Sequence, residues 1–552
     1  LAFFNQSVNN QMSIQDHFPL ATPRPSQIEV LKAIEVAFTK GYKNVIVEAP
    51  VGSGKSAIAV ACAKFYGDAH ILTPRKSLQD QYLEDFNKES LVTMKGRNSY
   101  PCTYISEDND AEYQQVIHKI RNGKILFMSP STSPCSEGPC LTSQESKVKC
   151  TKPYKEGNKN KEEYPCPYHV AIDTAQNEKI IVHNLHSFIF QTYYSERFTR
   201  RELLVIDECH EVEGILRGFA EKKISLPLFI KDEDEPVEGQ FKTMAEWAGW
   251  LGQFSEKYST RAKSNEVSPR MEFENILSTL GDLSDIVGEK FVVTIERDPV
   301  HKRSKFMFTP EYVGNLVDRY LLNFGKKRLL MSGTIYSKDL YCRLTGLKQE
   351  ETCFIKIGSS FPKVNRPIYL KPEYTVDTSH KTWDVNFKQM ITNIKKVMGV
   401  FGNEKGLIHA PSYHAALTLY NALKDTHRVV MHGKEDFQQS LTNFYKSDKP
   451  LVFISPICQQ GVDFKGDRSR FQIVLRVPYP STSDKLMAKK VKEDFPYYNY
   501  QALITFGQQI GRINRSEDDF GVTVLMDSRF NQFIARNKGV LPKWLTEAVI
   551  YK

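Results

Sequence analysis

Residues Asn44-Val-Ile-Val-Glu-Ala-Pro-Val-Gly-Ser-Gly-Lys-Ser56 decide how the rest of the chain is read. An apolar run, Asn44 to Val47, reads as a short strand. Gly52, Ser53 and Gly54 then form a turn whose backbone curls until its N–H groups converge on an anion. Ala57-Ile-Ala-Val-Ala61 begins a helix whose N-terminus adds a favourable dipole for that anion. Lys55 supplies a point charge for β- and γ-phosphates, and Ser56 supplies a hydroxyl ligand for Mg²⁺. The run fits Ala-x-x-Gly-x-Gly-Lys-Ser, with Ala49 where the usual pattern has its first glycine. A chance glycine turn is the competing reading, and the strand–loop–helix context argues against it. The expected ligands are ATP and Mg²⁺.

Working outward, a triphosphate site needs an acidic partner at a neighbouring strand tip. Leu203-Leu-Val-Ile-Asp-Glu-Cys-His210 supplies one: an apolar strand ending in two carboxylates and a histidine. Asp207 is expected to hold the metal, and Glu208 to orient or deprotonate the attacking water. His210 is expected to couple hydrolysis to domain motion. Alone, Asp-Glu-x-His fits a solvated turn equally well; after a buried strand and beside a phosphate loop, it reads as part of the same site. Lys55 to Asp207 spans 152 positions and Asp207 to Ser332 spans 125. One strand–helix–strand unit takes roughly 30 residues, so both intervals must hold insertions.

Apolar strands recur at Asn44–Val47, His70–Leu72, Leu203–Ile206 and Arg328–Met331, then at Gly406–His409, Leu451–Ile454, Phe471–Leu475 and Gly521–Leu525. Separated by helical stretches, such runs indicate parallel sheets covered on both faces. One series on each side of residue 340 predicts two α/β domains. Residues 213–320 read as mostly helical, for instance Phe241–Tyr258 and Met271–Val287, after the acidic turn Lys231–Val237. A chain of 552 residues has room for two to four domains. It contains no apolar run of about 18 residues, so no membrane span is expected. Leu1 to Gln15 lacks the order of a signal peptide, and an intracellular enzyme is the expectation. The chain starts with Leu rather than Met, which leaves room for residues upstream. The net charge of +9 is compatible with a polyanionic partner without requiring one.

Five of the ten cysteines, Cys102, Cys135, Cys140, Cys150 and Cys166, fall in one 65-residue stretch. In a chain without secretion signals this points to a thiolate-bound metal or cluster rather than to disulfides. Thiolates suit Zn²⁺ and iron–sulfur alike, and spacing does not choose between them. Tyr100, Tyr104, Tyr164 and Tyr168 lie among these cysteines, near Lys147, Lys149, Lys152 and Lys155. Such a pairing builds either a stacking platform for bases or the core of a small metal domain.

With these features in order, the chain resembles the XPD/DinG branch of the superfamily 2 helicases. Arg24-Pro-Ser-Gln27 is similar to the motif whose glutamine, here Gln27, touches adenine. Thr73-Pro-Arg-Lys-Ser-Leu-Gln-Asp-Gln81 looks like a strand-contacting motif, and Ser332-Gly-Thr334 like the motif that joins hydrolysis to unwinding. Phe361-Pro and Asn365-Arg-Pro367 also fit. Gly406-Leu-Ile-His-Ala-Pro-Ser-Tyr413 resembles the opening of the second motor domain. Gln460-Gly-Val-Asp-Phe464 resembles a motif touching nucleic acid and nucleotide, and Gln508-Gln-Ile-Gly-Arg-Ile-Asn-Arg515 the pattern whose arginines serve as fingers. The resemblance implies γ-phosphate contacts from Arg512 and Arg515, a nucleotide contact from Asp463, coupling roles for Ser332, Thr334 and Gln508, and strand contacts from Arg75, Tyr413 and Gln460.

The same resemblance implies two RecA-like domains. The first comprises 1–97, 171–212 and 321–340, and the second 341–552. The intervals 98–170 and 213–320 are then an iron–sulfur insertion and an arch-like helical insertion. It favours a 4Fe–4S cluster over Zn²⁺, on Cys102, Cys140, Cys150 and Cys166, with Cys135 competing for one position. It also implies a monomeric motor on single-stranded and forked DNA, moving 5′ to 3′ and unwinding duplex. The alternatives are a translocase or an RNA or hybrid helicase, and a non-catalytic clamp.

Overall fold

The computed structural model describes residues 12–100, 135, 151–153, 163–195, 197–225, 235–237, 239–262, 290–297, 304–379, 381–458, 462–514 and 516–551. In its first half the strands are β1 (Asn44–Glu48), β2 (Ala69–Thr73), β3 (Val92–Met94), β4 (Thr151–Pro153), β5 (Glu163–Pro165) and β6 (Ile180–Asn184). They continue with β7 (Arg201–Asp207), β8 (Lys222–Ser225), β9 (Phe291–Arg297), β10 (Ser304–Pro310), β11 (Gly325–Ser332) and β12 (Thr352–Lys356). The second half carries β13 (Ile368–Tyr369), β14 (Gly406–His409), β15 (Val429–Met431), β16 (Val452–Ser455), β17 (Phe471–Val474), β18 (Val522–Leu525) and β19 (Val549–Ile550).

Two seven-stranded sheets result. The first has the order β12-β1-β11-β7-β2-β6-β3 and is parallel throughout. The second, β15-β16-β14-β17-β18-β13-β19, is parallel as well. All eight strands expected from the apolar runs are present. Each sheet is buried between two apolar layers, which is why these runs are continuous rather than alternating. Helices α1 (Pro25–Thr39), α2 (Lys55–Tyr66) and α3 (Lys76–Asp85) precede, follow and flank the first strands.

Strand order matters most for the site. β11 lies between β1 and β7, so Ser332 stands opposite Glu48 on one side, and its neighbour Met331 opposite Asp207 on the other. Three loops far apart in sequence therefore leave the same carboxyl edge side by side.

One expectation is corrected. The first sheet does not end near residue 340, because β12 pairs with β1 as its edge strand, and the first lobe runs to Lys356. Its central residues Cys353, Phe354 and Ile355 are only half-buried, which leaves a weak apolar signal. Helix is the commonest state among the described residues of the interval 213–320, as expected, but a sheet accompanies it. This sheet, β8-β10-β9, is antiparallel, and the helix Met244–Ala262 packs Trp247, Leu251 and Phe254 against it. Phe306 and Phe308 alternate inward along β10, and Phe291-Val-Val-Thr-Ile295 is rich in strand-forming residues. The expected helix Phe241–Tyr258 is present from Met244 onward, and Met271–Val287 lies outside the described residues. Among the described residues no helix is long and apolar enough to cross a membrane.

Candidate active site

β1 delivers the chain to the phosphate loop, where Gly52 and Gly54 both take φ +78°. Gly54 caps α2 in the left-handed region, and a Cβ there would collide with the Gln27 side chain. Lys55 is buried. Its Nζ donates to Ala49 O at 3.4 Å and stands 3.8 Å from Glu208 Oε1. Gln27, expected to touch adenine, has both ends of its amide engaged within the loop region. Its Nε2 donates to Ser53 O at 3.1 Å, and its Oε1 accepts from Arg24 N at 2.8 Å. In this arrangement Gln27 braces the loop.

At the tip of β7, Asp207 is fully enclosed. Its Oδ2 accepts the Tyr82 hydroxyl at 3.1 Å and its Oδ1 the Glu208 N–H at 2.9 Å. Burial, reinforced by the neighbouring Glu208 charge, pushes its carboxyl up to about 6. Burial acts the same way on Glu208, yet Lys55 and His210, with Arg512, hold that carboxyl well below its usual range. One carboxylate therefore stays ionised in front of the lysine. Glu208 takes φ +50°, a left-handed conformation uncommon for a residue with a Cβ, which turns the chain sharply off the strand.

A continuous polar chain runs from here to the second lobe. His210 Nδ1 lies 3.3 Å from Glu208 Oε2 and 2.7 Å from Ser332 Oγ. Ser332 Oγ accepts from Thr334 N at 3.2 Å, and Thr334 Oγ1 accepts from Gln508 Nε2 at 2.9 Å. Gln508 lies on the helix Phe495–Ile510, and its Oε1 accepts from Arg512 Nη2 at 2.9 Å. Arg512 also donates to Val462 O and Gln508 O, both at 2.9 Å. The lobes meet closely here. A Cβ on Gly507 would run into the Tyr336 hydroxyl, and one on Gly511 would lie 3.0 Å from the Val51 side chain. Pro50, Val51, Glu208 and Thr334 line one wall of a solvent-open cleft, and Gly507, Gln508 and Gly511 line the other.

Sequence reasoning missed Glu48 and Tyr336, which hold the first-lobe side of this contact. Glu48 is buried beside the loop and accepts from Ile335 N at 3.2 Å and from Tyr336 N, with Lys356 Nζ 3.7 Å away. Tyr336 is thereby kept at φ +60°. The signal available was a glutamate ending an apolar strand, where another aliphatic residue is the norm.

The remaining candidates are distributed as follows. Arg75 caps α3, and its Nη2 lies 2.6 Å from Glu211 Oε1. Tyr413 is half-buried at the start of the helix Tyr413–Leu423, edge-on to His432 at 5.6 Å. Asp463 is exposed and accepts from Lys465 N at 3.1 Å. Tyr100 and Tyr168 are buried edge-to-face at 5.7 Å, so these two belong to a core and not to an open stacking platform. Arg515, Gln460, Cys102, Cys140, Cys150, Tyr104, Lys147, Lys149 and Lys155 lie outside the described residues, as do the side chains of Lys152 and Tyr164. Of the two cysteines competing for one ligand position, Cys135 is the one described. Its Sγ is 3.7 Å from Cys166 Sγ, and both are buried. Cys166 begins the helix Pro167–Asn177. The Cys135 contact, the His169 and Tyr168 N–H groups and nearby Arg97 outweigh burial and bring its thiol down to about 6.

Two parallel-sheet lobes that enclose a phosphate loop, an acidic strand tip and a Gly-Arg helix define a P-loop motor of the two-lobed helicase class. Family models agree. Residues 20–224 match the res subunit of type III restriction enzymes, and 394–548 match a helicase C-terminal domain; together they span more than half the chain. The ATP-dependent DNA helicase YoaA of Haemophilus influenzae is 20% identical over 94% of this chain and 92% of its own length. The XPD subunit of a transcription and repair factor in Dictyostelium discoideum is 27% identical, over 16% of this chain and 12% of its own length. A telomere elongation helicase homologue from Caenorhabditis elegans is 30% identical over 24% and 15%. In fold, a solved XPD helicase covers 97% of this chain at TM-score 0.60 and 16% identity, and Xpd4 of S. tokodaii covers 96% at 0.57 and 15%. These likenesses are consistent with an XPD/DinG-like superfamily 2 helicase.

Proposed function

We infer that the chain is an ATP-dependent DNA helicase that moves 5′ to 3′ along a single strand and separates duplex ahead of it. One observation carries the reading: Pro50 and Val51 of the phosphate loop and Glu208 of the acidic tip line the same cleft as Gln508 and Gly511 of the Gly-Arg motif. ATP seated there would have its β- and γ-phosphates on Lys55 and the loop N–H groups. Ser56 and Asp207 fit a Mg²⁺ ligand set, one hydroxyl in the first turn of α2 and one enclosed carboxylate. When bound, Mg²⁺ neutralises charge developing on the phosphate oxygens. Glu208, held ionised by Lys55, orients or deprotonates the attacking water. Arg512, with Arg515, reaches the γ-phosphate on closure, exchanging its carbonyl partners for phosphate oxygens. The chain His210–Ser332–Thr334–Gln508 carries that change between lobes.

Strand contacts fall to Arg75, Tyr413 and Gln460, with Arg75 leaving Glu211 for a phosphate. The buried pair Cys135 and Cys166 fits a thiolate-held group, completed by Cys102 and Cys140; a 4Fe–4S cluster there would supply folding free energy to a segment poor in apolar core. This reading favours Cys135 over Cys150. The deciding experiment compares strand displacement on forked duplexes with a 5′ or a 3′ tail, alongside ATP turnover with single-stranded DNA. Unwinding of the 5′-tailed fork with DNA-stimulated turnover is expected. Turnover indifferent to DNA, with neither fork opened, overturns the reading.

A further inference from the structure

Helix α3 buries two side chains, Gln79 and Tyr82, and they serve different ends. The Gln79 amide donates to Thr93 Oγ1 at 3.0 Å, Met94 O at 3.0 Å and Val182 O at 3.2 Å, which fixes α3 against β3 and β6. Tyr82 then has little freedom. Its ring packs in the apolar layer under the sheet, 6.0 Å from the Phe86 ring. A leucine would fill that space without bringing a hydroxyl that must be satisfied.

The hydroxyl points at the carboxylate tip of β7. It donates to Asp207 Oδ2 at 3.1 Å. The carboxylate offered above as a Mg²⁺ ligand therefore rests on one phenol. With Glu208 N–H on Oδ1, Tyr82 leaves Asp207 one orientation. An enclosed carboxylate without those donors would be free to rotate and would be costly to keep ionised. Resting on that assignment of the metal ligands, we propose that Tyr82 is a positioning residue for metal-dependent nucleotide binding. It presets Asp207 for a divalent cation without itself touching the cation or the phosphates. Because Arg75 caps the same helix and pairs with Glu211, α3 braces the acidic motif at both of its ends.

The test is Tyr82→Phe in the full chain, read by binding of the fluorescent nucleotide mant-ADP, first in EDTA and then across a Mg²⁺ titration. Metal-free affinity should match the parent. The Mg²⁺ concentration for half-maximal tightening should rise about tenfold, as expected when a hydrogen bond to a charged group is removed. Asp207→Asn, run beside it, separates two failures. If Asp207→Asn abolishes the Mg²⁺ effect while Tyr82→Phe leaves it unchanged or tighter, the role given to Tyr82 is wrong. If neither changes it, the ligand assignment falls. An equal loss of binding with and without Mg²⁺ also overturns the proposal, since the phenol would then only support the loop. Should Tyr82→Phe not fold, Tyr82→Leu keeps the apolar packing and is read against the same outcomes.

Discussion

Replacing Thr334 by valine and Gln508 by alanine, singly and together, tests whether the lobes communicate through the bond that joins them. Thr334→Val removes one neutral hydrogen bond, the 2.9 Å contact with Gln508. Such a bond contributes about 1 kcal/mol, roughly fivefold in kcat if it is made only in the closed, reacting state. Gln508→Ala removes that bond and also the acceptor for Arg512 Nη2, a charge-assisted contact worth about 1.5–3 kcal/mol. Its cost should be about 3 kcal/mol, on the order of 100-fold. Once Gln508 is gone, Thr334 has nothing across the cleft to lose. The double variant should then turn over ATP no more slowly than Gln508→Ala alone, a coupling of about 1 kcal/mol. Steady-state ATP hydrolysis at saturating single-stranded DNA gives kcat, and KM for ATP should stay within about threefold throughout, since neither group touches the loop. A double variant slowed by the product of the two single effects would show that Thr334 and Gln508 act separately, and the proposed relay would be abandoned.

Lys55→Ala should abolish ATP turnover while leaving the circular dichroism spectrum and melting profile of the parent; preserved turnover refutes the phosphate-loop assignment. Cys135→Ser should strip bound metal and any visible absorbance as completely as Cys166→Ser, whereas Cys150→Ser should not; elemental analysis of protein purified without oxygen decides between them. His70 and His183 face each other at 3.0 Å in the core, and burial lowers both, His70 to about 3. Below the unfolded value of about 6.5, the unfolded chain takes up protons that the folded chain refuses. Stability is therefore full above about 6.5 and falls as pH drops toward 3, by about 1.4 kcal/mol per pH unit for each histidine. Urea midpoints at pH 7.5 and 5.5 measure this, and a midpoint unchanged between them is the contrary result.

Much of this architecture was legible because parallel sheets buried on both faces write themselves as continuous apolar runs. Val45 to Val47 and Leu203 to Ile206 could hardly be anything else. The Asp207–Glu208 pair and the Gly-Lys-Ser turn were legible for a related reason: phosphate chemistry permits few residue types at a strand tip. What was hidden lay where burial is partial or the partner is distant. The edge strand β12 is half-exposed, and nothing in Cys353-Phe-Ile355 announces that it flanks β1. The antiparallel sheet of the second insertion was obscured because the tryptophan-rich helix Met244–Ala262 dominates the apolar pattern around it. Tyr82 and Glu48 were illegible in a deeper sense. Each looks like an ordinary core or strand-end residue until the fold brings a carboxylate or two backbone N–H groups against it.

The placing of β1 has a consequence for how the molecule is made. Its flanking strands arrive very late: Asn44 bonds with Arg328, 284 positions on, and with Thr352, 308 positions on. Until the ribosome has released residues up to Ser332, the strand that bears the phosphate loop has open edges on both sides, and one edge stays open until Lys356. Contacts so remote in sequence form slowly, because long loops must close before they give anything back. The two insertions, each able to pair its own strands locally, are positioned to fold first, as detours that shorten the effective distance. A nascent chain halted before β12 would hold every residue of the Gly-Lys-Ser turn and still have no stable place to seat a nucleotide.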